Sequence, residues 1–258
     1  FRSIKVSVDQ RRWESLERLS REAQFVASLQ HPNICDIFDF GWLPTYGPYI
    51  VTERLFGESL AVRRHRRRML TLTETIEITN QILCGLHAAH GRQIIHRDLK
   101  PRNVFLVDRI NCAPLVKILD FGLARDLTMS DSRRLTRPGQ ALGTYGYMSP
   151  EQLKGESPTV RSDLFAVGIM AYEMLAGVHP FAGESQADMA ASIMHDPTPP
   201  LGRGGREGPK LEQVLGRALA KEPLSRFPDA VAFQRALLEL HAQSYVDDSE
   251  PLSDTGSG

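Results

Sequence analysis

The chain has 258 residues, enough for one large domain or two lobes around a sizeable core. Lys plus Arg equals Asp plus Glu at 31 each, so the formal net charge is zero, which argues against a general nucleic-acid or polyanion binder. Three scattered cysteines without CxxC spacing point to a reducing compartment and away from a disulfide framework or a zinc site.

In chain order, "SIKVSV" alternates polar and apolar residues and predicts a strand. A helical pattern follows from Arg11 to Leu29, with Leu16, Leu19, Ala23, Val26 and Ala27 along one side, and "HPN" at His31 to Asn33 breaks it. Two β-rich segments come next, "ICDIFDF" and "YIVTERL", separated by the turn residues of "GWLPTYGP". After Gly57 the pattern turns helical. The basic cluster "RRHRRR", Arg63 to Arg68, is read as a solvated helix face. Thr73 to His90 carries Ile78, Ile82, Leu86 and Ala89 at helical spacing behind a threonine-rich start suited to capping.

Two short apolar strands, "NVFLV" and "LVKILD", follow the charged stretch "IIHRDLKPRN". From Ala124 to Leu142 the chain is polar and without a period, a loop long enough to suggest function. "DLFAVGIMAYEMLAG" is apolar almost all round, as a central buried helix should be, although Glu173 interrupts it and no apolar run reaches the ~18 residues of a membrane span. Further helices are expected around 185–194, 211–220 and 229–242. The acidic tail from Ser244 reads as a disordered linker. The expected organisation is α+β: a small β-rich part at 1–56, a larger helical part at 57–243, and a linker at 244–258. No internal repeat or signal peptide is visible. The chain begins at Phe1 on a strand, as a piece of a longer protein would.

"HRDLKPRN", His96 to Asn103, resembles the catalytic loop of protein kinases, H-R-D-x-x-x-x-N. "DFG" at Asp120 to Gly122, in the position of the metal-binding motif, and "SPE" at Ser149 to Glu151, a variant of A-P-E, follow in the family's order. An exposed polar loop with a turn at Pro101 is the bland reading of the first motif alone, and the ordered set outweighs it. The resemblance covers about residues 1 to 240. "DLKPRN" and "GTYGYMSPE" are similar to serine/threonine kinases, and "GTYGYMSPEQLKGE" and "RSDLFAVGIMAYEMLAGVHPF" are most similar to bacterial eukaryotic-like ones.

The resemblance implies a two-lobed kinase-like fold and transfer of the ATP γ-phosphate to protein Ser or Thr hydroxyls, with ATP and Mg²⁺ as cofactors. Phosphoryl transfer needs charge neutralisation and in-line positioning more than covalent chemistry. Asp98 is placed to accept the proton of the attacking hydroxyl, and Lys100 to offer its ammonium to the transferring phosphate. Asn103 and Asp120 supply the oxygen ligands that Mg²⁺ prefers. Thr144 is implied to be catalytic. Lys5, in "RSIKV", resembles the lysine that holds the α- and β-phosphates, and Glu22 resembles its helix partner, with Glu14 and Glu17 as competitors. Thr52 would be the gatekeeper, and the backbone of Glu53 and Leu55 would bond the adenine edge. Asp163 resembles the aspartate that anchors the catalytic-loop backbone, or is an ordinary helix N-cap. Arg226 resembles the arginine that pairs with Glu151.

Regulation is expected in the polar loop, where Thr128, Ser130, Ser132 and Thr136 are candidate phosphosites and Arg97 could pair with an added phosphate. A homodimer that phosphorylates itself is a further implied partner. Nucleic acid and membrane contact are not expected of this segment, and a cytoplasmic location is, although the parent protein could be anchored. One departure stands out: the family's G-x-G-x-x-G loop does not occur before Lys5. Truncation explains this better than loss, because Asp98, Asn103 and Asp120 are intact. The rival reading is a pseudokinase that binds nucleotide or acts as a scaffold.

Overall fold

The computed structural model describes residues 2–6, 29–43, 47–121, 145–202 and 208–247, with the backbone alone at 2–6, 42, 47–48 and 241–247. Three antiparallel strands form the first part: β1 (Arg2–Val6), β2 (Ile37–Leu43) and β3 (Gly47–Glu53), in the order β1-β3-β2. Lys5 pairs with Ile50 in this register, and an irregularity between Ile37 and Asp39 bends β2. Most of the helix expected from Arg11 falls at 7–28, outside the described residues.

The second part opens with a strand that the sequence reading missed. β4 (Gly57–Ser59) pairs with β5 (Val104–Val107), which pairs with β6 (Leu115–Ile118). Three residues are too few for a period of two to show. Gly57 has φ +142°, and a Cβ there would lie 2.0 Å from the carbonyl oxygen of Leu106, so only glycine permits this approach. Helix α1 (Leu60–Arg66) follows, capped by Ser59.

The basic cluster is a solvated face from His65 to Arg68, as expected, but Arg63 and Arg64 are half-buried. Arg63 and Arg66 both pair with Glu58, Arg67 with Glu74, and Arg64 reaches the buried Glu173 at 2.9 Å. Helix α2 (Leu72–His90) starts, as its threonines suggest, with a capping box between Thr71 and Glu74.

Helices α3 (Pro150–Leu153), α4 (Val160–Ala176), α5 (Gln186–His195), α6 (Gly208–Ala218) and α7 (Ala230–Asp247) complete the larger part. Helix α7 runs four residues past the expected start of the linker at Ser244, and 248–258 lie outside the described residues. Helix α4 is buried from Ser162 to Met174, so it is the post around which the others pack. The main core joins α2, β5, β6, α4 and α7 through Ile82, Leu86, Leu106, Ile118, Val167, Met170 and Phe233.

The "HPN" segment joins the two parts. Ile34 bridges to Ile118, the Cys35 amide donates to Ile118 O at 2.9 Å, and the Ile118 amide donates to Asn33 O at 2.8 Å. The Asn33 side-chain amide donates to Val116 O and to Gln81. Gly85 on α2 keeps this junction close, since a Cβ there would meet Ile118 Cδ1 at 2.8 Å and Asn33 O at 3.1 Å.

Candidate functional site

The segment from His96 to Asn103 is fixed from beneath by Asp163. Its carboxylate accepts the backbone N–H of His96 at 2.8 Å, that of Arg97 at 3.0 Å and the Nε2–H of His90 at 2.8 Å. Thr159, not Asp163, caps helix α4, so the cap reading of Asp163 is set aside. A carboxylate that is only 2% exposed needs such donors to offset its lost hydration. Arg97 takes φ +66° there, a costly conformation for an arginine, and its carbonyl accepts from the Gln152 side chain at 2.9 Å.

His96 is fully buried and links this segment to the end of β6. Its Nε2–H donates to Leu119 O at 2.9 Å and its ring lies 4.8 Å from that of Phe121. With Nε2 carrying the proton, Nδ1 is free to accept the Asp98 amide at 3.3 Å. Above this layer Asp98 and Lys100 form an ion pair at 2.7 Å, both partly exposed. The ammonium is thus placed beside a carboxylate that an incoming hydroxyl can reach.

Asn103, 8% exposed, ends a 3₁₀ turn that begins at Pro101. Its amide nitrogen donates to Asp98 O at 2.9 Å, and its backbone carbonyl accepts from the Leu119 amide at 2.8 Å. The residue before Asp120 is thereby tied to Asn103. Asp120 itself is exposed, with φ +51°. Two hard oxygen donors on one rigid strand pair suit Mg²⁺, which keeps several waters and takes phosphate oxygens for the rest. Among the described residues no group of three or more His, Cys, Asp and Glu could hold a metal alone.

At the end of β3, Thr52 and Leu55 are half-buried. The Glu53 amide is spent on Asp36 O at 3.0 Å, so only the carbonyl of Glu53 remains for an adenine edge. The Thr52 hydroxyl donates to that carbonyl at 3.2 Å. Cys35 lies close by, and burial, then the charge of Glu53, pushes its thiol up to about 12. It is an inert wall at neutral pH.

Behind the site, Arg226 grips Glu151 with two bonds of 2.8 Å and donates to the carbonyls of Ala220, Arg161 and Lys221. Ser162 adds a hydroxyl donor to Glu151 at 2.6 Å. Burial pushes the Glu151 carboxyl up, but the Arg226 and Ser162 hydrogen bonds outweigh it and hold it below its usual value. Tyr147 donates to Glu173 at 2.7 Å, and burial pushes both groups up.

The structure therefore brings together Asp98, Lys100, Asn103 and Asp120 on one frame. The backbone of Lys5 lies on β1, whereas Glu22, Thr144, Thr128, Ser130, Ser132 and Thr136 lie outside the described residues. Sequence reasoning missed His90, Gln152 and Lys117. The signal for Lys117 was present, as a lone cation inside the apolar strand "LVKILD".

The pattern of the protein kinase domain matches residues 3–231. The serine/threonine-protein kinase pkn3 of Myxococcus xanthus is 37% identical, over 94% of this chain and 45% of its own length. The serine/threonine-protein kinase PknB of Mycobacterium leprae is 35% identical, over 92% and 38%. The chain thus spans less than half the length of these curated relatives. The crystal structure of the PknI kinase domain of Mycobacterium tuberculosis superposes with a TM-score of 0.69 at 24% identity, covering 93% of this chain and 85% of that one, which supports the fold.

Proposed function

This chain belongs to the protein kinase domain family, and from that premise we propose that it transfers the γ-phosphate of ATP to Ser or Thr hydroxyls of protein substrates. The observation that carries the reading is the Asp163 anchor, which fixes the backbone of the loop bearing Asp98 while leaving its side chain within reach of solvent. The two bacterial relatives are named as kinases of this class, which supports turnover over the pseudokinase alternative.

In the proposed reaction, Asp98 orients the substrate hydroxyl and takes its proton. The new bond forms between that oxygen and Pγ, the bond from Pγ to the β-bridging oxygen breaks, and ADP leaves. Lys100, now paired with Asp98, turns its ammonium toward the γ-phosphate oxygens. Asn103 and Asp120 would hold Mg²⁺, which supplies charge neutralisation of the β- and γ-phosphates when bound. Thr52, the Glu53 carbonyl and Leu55 flank the adenine. Lys5 and Glu22 would serve the α- and β-phosphates, and Thr144 the substrate end of the site.

Control through Thr128, Ser130, Ser132 or Thr136, with Arg97 as the phosphate partner, belongs to the same proposal, as does self-phosphorylation in a homodimer. Among the described residues no helix is long and apolar enough to cross a membrane. ATP implies that this portion works in the cytoplasm. The test is Mg²⁺-dependent transfer of labelled phosphate to a generic protein substrate, with Asp98→Asn as control. Transfer that is independent of Asp98 would sink the reading.

A further inference from the structure

Lys117 lies on β6, three residues before Asp120, and is 7% exposed. Its ammonium meets Glu53 Oε1 at 2.6 Å and donates to Ile34 O at 3.1 Å. The same Glu53 oxygen accepts the Asp36 amide at 2.9 Å. A buried ammonium that has, among the described residues, one carboxylate partner is a committed arrangement, since removing either charge leaves the other uncompensated.

The position of the pair is what gives it consequence. Glu53 ends the strand whose carbonyl and following residues flank the proposed adenine position. Lys117 is on the strand that delivers Asp120, and that strand pairs with β5, which begins immediately after Asn103. One end of the pair belongs to the support of the base, the other to the support of the metal and phosphates. Lys117 lies on β6, which ends at Ile118, and Asp120 follows two residues later at φ +51°. The Lys117 ammonium is engaged with Glu53 and the Ile34 carbonyl, so its part is to support the strand end that carries Asp120.

We propose that the Glu53–Lys117 ion pair is a positioning clamp that sets the distance between the base-binding edge and the phosphate-binding carboxylate. The proposal rests on the ATP-binding reading above. A clamp of this kind acts only on a ligand that engages both ends. Mg-ATP does so, whereas adenosine uses the base edge alone and Mg-tripolyphosphate the phosphate end alone. A pair that merely supported the fold would, when broken, weaken all three alike.

The experiment measures dissociation constants of Mg-ATP, adenosine and Mg-tripolyphosphate for the wild type, Glu53→Gln, Lys117→Met and the double variant. Glu53→Gln keeps an oxygen for the Asp36 amide, so it carries the test if Lys117→Met does not fold. Each single variant should bind Mg-ATP about tenfold more weakly, with KM for ATP rising by the same factor. Adenosine and Mg-tripolyphosphate affinities should stay within about twofold of wild type, well under the ~1.4 kcal/mol of a tenfold change. The double variant should lose no more than the worse single one, because both break the same contact. Equal losses on all three ligands, or an unchanged Mg-ATP affinity, would overturn the clamp and leave the kinase reading standing. A wild type that does not bind Mg-ATP at all would overturn that reading, and the clamp with it.

Discussion

The two sides of the proposed cleft are held in different ways. On the helical side, Asp163 receives three donors from His90, His96 and Arg97, His96 reaches the end of β6, and Glu151 is locked to Arg226, all within a buried layer around α4. On the sheet side, the described strands meet that layer through the short Asn33–Cys35 segment and the Glu53–Lys117 pair. The first arrangement over-determines its backbone well enough to hold Arg97 and Asp120 at positive φ. The second rests, among the described residues, on a few hydrogen bonds, one isolated bridge and one ion pair. Groups that must be fixed to a fraction of an ångström sit on the first side. Those proposed to admit and release a nucleotide sit across the second.

The largest effect should come from the exposed end of the rigid side. Asp98→Asn should lower phosphate transfer by about 10⁴-fold, the upper range for a positioned acid–base group, and Asp120→Ala should abolish the Mg²⁺-dependent transfer. Asp98→Asn should leave the melting temperature as it was, because the Asp98 side chain is partly exposed and Asn has the same shape. Glu74→Ala is the counterpart. It removes the capping box of α2 and should cost about 1 kcal/mol of stability while leaving turnover as it was. A melting temperature that falls with Asp98→Asn would mean that chemistry and scaffold are not separated as the comparison holds.

Next in size is the scaffold itself. Arg226 is 1% exposed and bonds both oxygens of Glu151, so Arg226→Ala leaves a buried carboxylate without its partner. Unfolding free energy should drop by about 3–4 kcal/mol. The nucleotide affinity of the molecules that remain folded should be unchanged. A loss under about 1 kcal/mol in denaturant titration would show that the pair is no more than a surface contact in effect.

Much of this division was legible in the sequence. The ordered motifs place Asp98, Asn103 and Asp120, and the all-round apolar run from Leu164 announces the central helix. The Glu151–Arg226 pair followed from resemblance, as did Asp163, whose N-cap alternative fails because Thr159 takes that position. What was not legible depends on contacts distant in sequence. His90 and Asp163 are 73 residues apart, and nothing local in "HAAHGR" says that one histidine is a buried donor. The arginines of α1 looked alike as a string, yet only Arg64 points to the buried Glu173. Strand β4 was too short to carry a period.

The junction itself comes third. Gly85→Ala would push a methyl to within 2.8 Å of Ile118 Cδ1 and 3.1 Å of Asn33 O. The overpacking should cost about 1–2 kcal/mol, felt where "HPN" docks on β6. Hydrogen exchange should rise at the Cys35 and Ile118 amides more than at the His96 and Arg97 amides. Equal changes in both sets would mean that the two sides unfold as one unit and that the contrast between them is false.

The smallest effect is a titration on the rigid side. His179 is held between Gly146 and Phe181. Its Nε2–H donates to Gly146 O at 2.9 Å, and its Nδ1 accepts the Phe181 amide at 3.0 Å. Burial lowers its pKa from 6.5, and the bonds of the ring nitrogens with the carbonyl oxygens of Gly146 and Phe181 only partly oppose this. In the unfolded chain the ring takes a proton as pH falls through 6.5, while the folded chain resists until lower pH. Stability owed to His179 is therefore complete above pH 6.5 and is lost as pH falls toward the folded value. The slope cannot exceed about 1.4 kcal/mol per pH unit for one group. Glu173, raised by burial, shifts stability in the opposite direction over acid pH, and His31, lowered by burial, shifts it in the same direction. Both remain in a His179→Gln variant, so the difference between the two proteins isolates His179. That difference, from denaturant midpoints, should favour wild type most at pH 7.5 and shrink between pH 6.5 and 5 by less than the ~1.4 kcal/mol per unit bound. A constant difference across this range would show that the histidine is not held in its neutral form, and that the segment at Gly146 is looser than the rest of the frame.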